Sequence, residues 1–144
     1  MVEFNSDDLK YLSEFEKLTN IIATDYVLTP YSIIYLVSKP DLGKAIGKKG
    51  SNIERLNRFF KRRVVVIANS SDLEEFVRNF FSNVEILSVE TREAMGDKAV
   101  FLTVAEKDRG IAIGKEGERI KAAKDFLKKK FNATISVHTR RAVI

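Results

Sequence analysis

Residues 43–50 read GKAIGKKG and residues 110–117 read GIAIGKEG, so the chain repeats one motif at an offset of 67 positions. The match continues beyond the motif, because nine of the nineteen positions from 43 to 61 are identical to those 67 residues further on. Each copy combines a Gly-x-x-Gly segment, a lysine after its first glycine and a basic amphipathic stretch. Glycines let a polyanion approach the backbone closely, and lysine supplies the counter-charge. The repeat therefore predicts two similar phosphate-binding loops.

Positive charge is concentrated around these two loops. Residues 26–70 contain nine Lys or Arg against two Asp or Glu, and residues 107–144 contain eleven against four. The remaining blocks are acidic, with net charges of −4 for residues 1–25 and −5 for residues 71–106. Because the basic blocks coincide with the glycine loops, the charge pattern favours a polyanionic partner such as nucleic acid.

The two halves of the chain have the same order of predicted elements. In each half, the spacing of apolar and turn residues predicts a helix, two strands, a short helix before the glycine loop, a longer helix and a last strand. The segment Asn69-Ser70 is the one plausible boundary. We therefore expect an α+β fold with domains at residues 1–70 and 71–144.

Two helix starts are predicted from Ser-x-x-Glu capping boxes. One runs from Ser51 to Glu54 and the other from Ser71 to Glu74. The helix after the first box has apolar residues at helical spacing, which predicts that they share its buried face. These residues are Ile53, Leu56, Phe59 and Phe60.

Several classes of function are excluded by the sequence. There is no cysteine, and the single histidine, His138, cannot form a histidine metal cluster. A Walker loop is excluded, because only three residues separate Gly43 from Gly47 and neither loop lysine precedes Ser or Thr. No apolar run is long enough to cross a bilayer, and the N-terminus lacks the order of a signal peptide. We expect a cytoplasmic, non-enzymatic protein with no metal, no cofactor and no membrane partner.

The segments IGKKG at 46–50 and IGKEG at 113–117 resemble the signature of KH domains. The order that begins with a helix and ends with a strand resembles the type II KH topology. A tandem pair of such domains is similar to the archaeal NusA family of transcription factors, and this resemblance covers essentially the whole chain. It implies, for each domain, a three-stranded sheet with helices on one face and a track for about four nucleotides of single-stranded RNA.

The resemblance also implies roles for individual residues. Contacts with the RNA backbone fall on Gly47, Lys48, Lys49 and Gly50, and on Gly114, Lys115, Glu116 and Gly117. The grooves beside the loops, or the core just beneath them, are lined by Ile46, Ile53, Ile113 and Ile120.

Charged residues near the loops allow two interpretations. Five such residues either contact phosphates or bases or are simply solvated, namely Lys44, Arg55, Arg58, Arg119 and Lys121. Glu116 stands where the first copy has Lys49. A carboxylate beside a phosphate track weakens binding, so we expect the first loop to make the larger electrostatic contribution.

Three functions are compared on this basis. The leading hypothesis is a monomeric single-stranded RNA-binding factor in transcription termination or antitermination, with the nascent transcript as ligand and RNA polymerase as a candidate protein partner. The alternative is a KH-domain component of the ribosome or of ribosome assembly. An enzyme subunit is disfavoured, because the sequence has no nucleophile–base pair and no cluster of carboxylates at metal-binding spacing.

Overall fold

The structure of the chain is a computed structural model, and it is described for residues 6–141. The chain forms two compact units that divide between Ser70 and Ser71. Each unit contains three α-helices and a three-stranded sheet in the described residues, so the fold is of the α+β class.

The first unit has the order helix, two strands, two helices and a strand. Its elements are α1 (Ser6–Thr19), β1 (Asp25–Leu28), β2 (Ser32–Val37), α2 (Leu42–Ile46), α3 (Ser51–Phe60) and β3 (Arg63–Ala68). Strand β2 lies in the centre of the sheet, antiparallel to β1 and parallel to β3. The parallel pairing requires a crossover, and helices α2 and α3 with the loop between them provide it.

The second unit repeats this order with longer strands. Its elements are α4 (Leu73–Phe80), β4 (Ile86–Ala94), β5 (Asp97–Ala105), α5 (Arg109–Ile113), α6 (Glu118–Phe131) and β6 (Ala133–Arg140). Strand β5 is central, antiparallel to β4 and parallel to β6. Met95 and Gly96 join β4 to β5 with φ values of 53° and 85°, the positive angles of a two-residue hairpin turn.

The core of the first unit is built on stacked aromatic rings. The rings of Phe15 and Tyr35 lie 4.2 Å apart, and both side chains are fully buried. The Tyr35 hydroxyl donates a hydrogen bond of 2.7 Å to the carbonyl oxygen of Tyr11. Ala45 of α2 and Leu56 of α3 are fully buried in the same cluster, so the core holds both helices that flank the first glycine loop.

The core of the second unit is also aromatic. Phe76 and Phe80 of α4 each have ring centroids 6.2 Å from that of Phe126 of α6. Ala112 of α5 is fully buried. The helices on both sides of the second glycine loop are therefore buried against the body of their unit.

Both predicted capping boxes are wrong in detail. Helix α3 starts after Gly50, which has left-handed angles, and Ser51 is already helical at φ −59° and ψ −38°. Helix α4 is capped by Asp72, whose carboxylate accepts a hydrogen bond of 2.9 Å from the Glu75 amide. Asp72 has the extended backbone that a cap requires, so the cap lies one residue after the predicted Ser71.

The prediction for Phe59 is also wrong. Leu56 is fully buried and Ile53 and Phe60 are partly buried, but Phe59 is 48% exposed. Periodicity places Phe59 beside the apolar stripe, but among residues 6–141 no neighbouring element fully covers that flank of the helix.

No helix within residues 6–141 is long and apolar enough to cross a membrane.

Candidate nucleic-acid interface

The two glycine loops have the same backbone conformation. Gly47 has φ 82° and ψ 168°, and Gly114 has φ 81° and ψ 171°. Gly50 and Gly117, the second glycines, both have left-handed angles, with φ values of 74° and 76°. The repeat in sequence is therefore a repeat in local geometry.

The first glycine of each loop cannot carry a side chain. A Cβ on Gly47 would lie 2.9 Å from the Asn52 amide nitrogen and 2.8 Å from the Ser51 Oγ. A Cβ on Gly114 would lie 2.8 Å from the amide nitrogen of Arg119. The loop backbone therefore packs directly against the first turn of the following helix, and only glycine permits this approach.

Backbone hydrogen bonds hold each loop in this shape. The Gly47 amide donates to the Gly43 carbonyl at 3.0 Å, and the Gly50 amide donates to the Gly47 carbonyl at 3.1 Å. In the second loop, the corresponding bonds measure 2.9 Å and 3.1 Å. A rigid loop loses little conformational entropy on binding, so it is suited to hold a ligand backbone.

Three lysines near the first loop point their charge into solvent. Lys44, Lys48 and Lys49 are all exposed, and so is Arg55 on α3. The structure thus brings together the residues predicted for this loop, with the half-buried side chains of Ile46 and Ile53 on the two helices beside them. A groove that binds nucleic acid is expected to combine positive charges, which contact the phosphates, with an apolar surface, which contacts the bases.

The second loop carries mixed charge. Lys115 and Glu116 are exposed, and Ile113 and Ile120 are half-buried as in the first loop. The side chain of Lys121 reaches back to the loop, with its Nζ 3.5 Å from the Glu116 carbonyl oxygen. This lysine therefore brings a second cation to the backbone of the loop.

The structure contradicts a contact role for Arg119. Its side chain is buried, and its guanidinium donates a hydrogen bond of 3.0 Å to the Phe80 carbonyl oxygen. The guanidinium carbon also lies 5.0 Å from the centroid of the Phe80 ring. Arg119 therefore ties α6 to α4 inside the second unit, because buried cations need such partners.

Asn52 occupies the corresponding position in the first unit, 67 residues earlier. Its side-chain nitrogen, Nδ2, donates a hydrogen bond of 3.1 Å to the Lys44 carbonyl oxygen. It therefore joins α3 to α2 across the loop, as Arg119 joins α6 to α4. Asn52 thus holds together the two helices that flank its loop, whereas Arg119 anchors the start of α6.

The second unit has a basic groove that the sequence prediction missed. The groove has a volume of about 430 Å³ and lies between α6 and β6, with Lys124, Asp125 and Lys128 on one side and Thr134 on the other. Lys121, Lys124 and Lys128 are exposed and spaced by three and four residues, so they follow one side of the helix. That spacing was visible in the sequence, but only the structure shows that this side faces the edge strand.

The first unit has a different composition on the same side of its helix. The residues 67 positions before the three lysines are Glu54, Asn57 and Lys61. Asn57 is used structurally, because its side-chain oxygen accepts a hydrogen bond of 2.7 Å from the Val64 amide. On this side of the helix the first unit therefore has one lysine and one carboxylate where the second unit has three lysines.

No group of three or more His, Asp or Glu residues that could hold a metal ion is found between residues 6 and 141.

Comparison with known proteins agrees with this geometry. Residues 72–143 match the KH domain family, and they make up half of the chain. The chain belongs to the KH-domain family. The matched region of this KH protein contains the second glycine loop, the basic groove and the whole of the second sheet.

Relatives of this KH protein include archaeal proteins. The chain is 31% identical to a probable transcription termination protein NusA of Methanococcus vannielii, over 87% of this chain and 72% of the relative. It is 32% identical to a protein of the same name from Halobacterium salinarum, over 88% of this chain and 91% of the relative. The KH protein is thus similar to NusA-like proteins over most of its length.

A solved structure extends the similarity to three dimensions. The crystal structure of APE1850 superposes with a TM-score of 0.75 at 36% identity, and the alignment covers 95% of this chain and all of the other. The shared fold therefore includes elements from both units.

Proposed function

We propose that the chain is a single-stranded RNA-binding factor composed of two tandem type II KH domains, residues 1–70 and 71–144. In this proposal it binds the nascent transcript and acts in transcription termination or antitermination as a monomer. The observation that carries the proposal is the pair of loops with one backbone conformation, each with exposed lysine beside a glycine that admits no side chain.

Each loop holds the sugar–phosphate backbone of the RNA. The glycines bring the ligand close to the protein backbone, and Lys48, Lys49 and Lys115 neutralise its phosphates. Gly50, Gly114, Glu116 and Gly117 complete the two loops. Lys44 and Arg55 add positive charge on the helices before and after the first loop.

The bases lie beside the loops over partly apolar surfaces. Ile46 and Ile53 in the first domain, and Ile113 and Ile120 in the second, present half-buried side chains next to the glycines. A single strand can turn its bases toward such a surface, whereas the bases of a duplex are paired and stacked. We therefore expect preference for single-stranded RNA over duplex RNA.

The role in transcription is supported by the relatives. Those from two archaea carry the name probable transcription termination protein NusA, and the alignments extend over most of this chain. RNA polymerase is accordingly the proposed protein partner. No chemical step is assigned to the chain, which acts by binding.

Transcription by purified archaeal RNA polymerase on a template with a terminator tests this function. The added chain should change the fraction of transcripts that end at the terminator, and the variant with Lys48→Asp, Lys49→Asp and Lys115→Asp should not. Sedimentation of a tagged chain in cell extract provides a second test. Migration with ribosomal particles and without polymerase would favour a role in the ribosome or its assembly and contradict the transcription role.

A further inference from the structure

The second unit contains a larger cavity at the tip of its β4–β5 hairpin. This cavity has a volume of about 550 Å³, and its lining includes Arg92, Lys98 and Phe101. Lys128 and Thr134 also line it, and the same two residues line the groove between α6 and β6. The basic groove and the hairpin cavity are therefore adjacent and share a wall.

The position of the hairpin cavity relative to the groove is fixed by hydrogen bonds. Asn132, which follows α6, donates from its side chain to the Asp97 carboxylate at 2.9 Å. The Lys98 amide donates to the Asn132 carbonyl oxygen at 3.4 Å. The start of β5 is thus attached to the end of α6, and β6 at the edge of the sheet separates the two concave surfaces.

The hairpin cavity has the chemistry of a site for a nucleobase. The guanidinium carbon of Arg92 lies 5.1 Å from the centroid of the Phe101 ring, and the Arg92 side chain is 75% exposed. The ring of His138 lies 6.0 Å from that of Phe101. Unpaired bases stack on aromatic rings and on arginine planes, and each such contact contributes substantially to binding of single strands.

The charges around the hairpin cavity also suit a nucleotide. Arg92, Lys98 and Lys128 line it together with the carboxylates of Glu93 and Asp97. Arg92 also forms an exposed ion pair with Glu90, whose Oε2 lies 3.9 Å from the Arg92 Nη2. The Asp97 carboxylate already accepts the hydrogen bond from Asn132. The exposed cations Arg92 and Lys128 near the Phe101 ring match the alternation of phosphate and base along an RNA strand.

We propose that the RNA track of the second unit continues from the loop along the α6–β6 groove, past Thr134 at the edge strand, and into the hairpin cavity. There Arg92 and Phe101 hold the base of one further nucleotide of the same strand, and Lys128 neutralises the phosphate between the two surfaces. This proposal rests on the proposed RNA-binding function and assigns it an additional subsite.

The length of α6 makes this subsite distinct from the loop site. A helix of fourteen residues spans about 21 Å, with the glycine loop at its start and the hairpin cavity at its end. A KH loop clamps about four nucleotides. A short RNA can therefore occupy the loop without reaching the hairpin cavity, and a longer RNA can reach both.

Fluorescence anisotropy with labelled oligouridylates of about four to about twelve nucleotides tests the subsite. The parent is the full chain with Lys48→Asp and Lys49→Asp, so that binding reports the second unit. Lengthening the RNA should tighten binding to this parent. Arg92→Ala and Phe101→Leu should each reduce that gain by about tenfold and leave the affinity for the shortest RNA unchanged. Phe101→Leu keeps most of the apolar volume, and circular dichroism verifies folding.

The matched control is Arg78→Ala, which removes one exposed positive charge from α4 in the same unit. This variant should keep the full gain in affinity that lengthening the RNA produces. If the affinity rises with RNA length equally in the Arg92→Ala, Phe101→Leu and control variants, the proposed subsite is wrong. The proposed function of the loop would be unaffected by that result. Absence of single-stranded RNA binding by the unsubstituted chain would overturn the proposed function and the subsite together.

Photo-crosslinking gives a readout independent of affinity. A photoreactive uridine is placed at either the 5′ or the 3′ end of the longer RNA. Because a bound strand has one direction, only one end should crosslink to Met95 or Phe101 at the hairpin. Crosslinks from both ends equally, or from neither, would contradict the subsite.

Discussion

Lys49 and Glu116 have the same left-handed backbone conformation at matching places in the two loops. Their φ and ψ angles are 55° and 31° for the lysine and 54° and 27° for the glutamate. Both side chains are exposed, so two loops of one shape present opposite charge at this point. The difference between the loops is therefore electrostatic.

Exchanging this charge should change RNA affinity without changing the fold. Glu116→Lys should tighten binding of single-stranded RNA, and the slope of log K against log salt should steepen by about 0.7 for each added phosphate contact. Anisotropy titrations at several salt concentrations measure both quantities. Glu16→Lys makes the same change of charge at an exposed position on α1. An equal gain in that control would mean that net charge alone sets the affinity.

The three glycines around the first loop should tolerate alanine to different degrees. Gly47→Ala should cost more than about 2 kcal/mol of unfolding free energy, because its φ of 82° suits glycine and the added Cβ meets the Asn52 amide nitrogen at 2.9 Å. Gly50→Ala should cost about 1 kcal/mol, since its φ of 74° is left-handed but the surrounding space is open. Gly43→Ala is the control, with open space and a helical backbone.

Urea unfolding of the three variants measures this order. Gly43→Ala should be as stable as the unsubstituted chain or slightly more stable, because alanine favours helix. A Gly47→Ala variant as stable as the Gly50→Ala variant would contradict the close packing of the loop against α3.

Substitution of Arg119 should lower the stability of the fold, whereas substitution of Arg55 should weaken RNA binding. Arg119→Ala should cost about 2 to 4 kcal/mol, because it removes the hydrogen bond to the Phe80 carbonyl and the contact with its ring. Arg55→Ala should change stability by less than about 0.5 kcal/mol, since the side chain is exposed, and should weaken RNA binding. Denaturant unfolding and anisotropy on the same samples distinguish the two effects. A large loss of stability in Arg55→Ala would show that Arg55 also has a structural role.

The stability of the first unit should fall at alkaline pH. Burial raises the pKa of the Tyr35 phenol above its usual value of about 10, and the neighbouring Tyr26 and Tyr11 act in the same direction. The folded state therefore retains a proton that the unfolded state loses. The stabilisation is fully present below about pH 10 and decreases by about 1.4 kcal/mol per pH unit above it.

Comparison with Tyr35→Phe isolates this effect. Near pH 8 the unsubstituted chain should be more stable by about 1 kcal/mol, because the variant lacks the hydrogen bond to the Tyr11 carbonyl. Near pH 11 this advantage should disappear, since only the unsubstituted chain has a phenol to ionise at that position. An advantage that is constant from pH 8 to about pH 11 would contradict the raised pKa.

The order of elements and the positions of the loops were predictable from sequence because they depend on local patterns. Gly47 and Gly114 marked the loops, and turn residues such as Gly96 separated the strands. The start of α3 was not predicted correctly, since the left-handed Gly50 leads the chain into the helix and leaves Ser51 inside it. Ordinary helix-capping statistics do not describe a helix that begins at a glycine loop.

Contacts between distant residues were beyond sequence reasoning. Arg119 looks like a surface cation in the sequence, but its partner Phe80 lies 39 residues earlier. The basic groove depends on Lys124 facing β6, and the hairpin cavity depends on Asn132 joining Asp97. These relationships follow from the packing of α6 on the sheet, which periodicity alone does not specify.

The most direct test of the central claim is the binding of single-stranded RNA, duplex RNA and single-stranded DNA to the full chain, measured by fluorescence anisotropy. The comparison includes the Lys48→Asp/Lys49→Asp variant, the Lys115→Asp variant and, as a control on α1, Lys10→Asp. We predict a preference for single-stranded RNA that is lost in the loop variants and kept in the control, with folding intact by circular dichroism. Equal binding to all three nucleic acids, or loop variants that bind as tightly as the control, would contradict the assignment of the loops as RNA-binding sites.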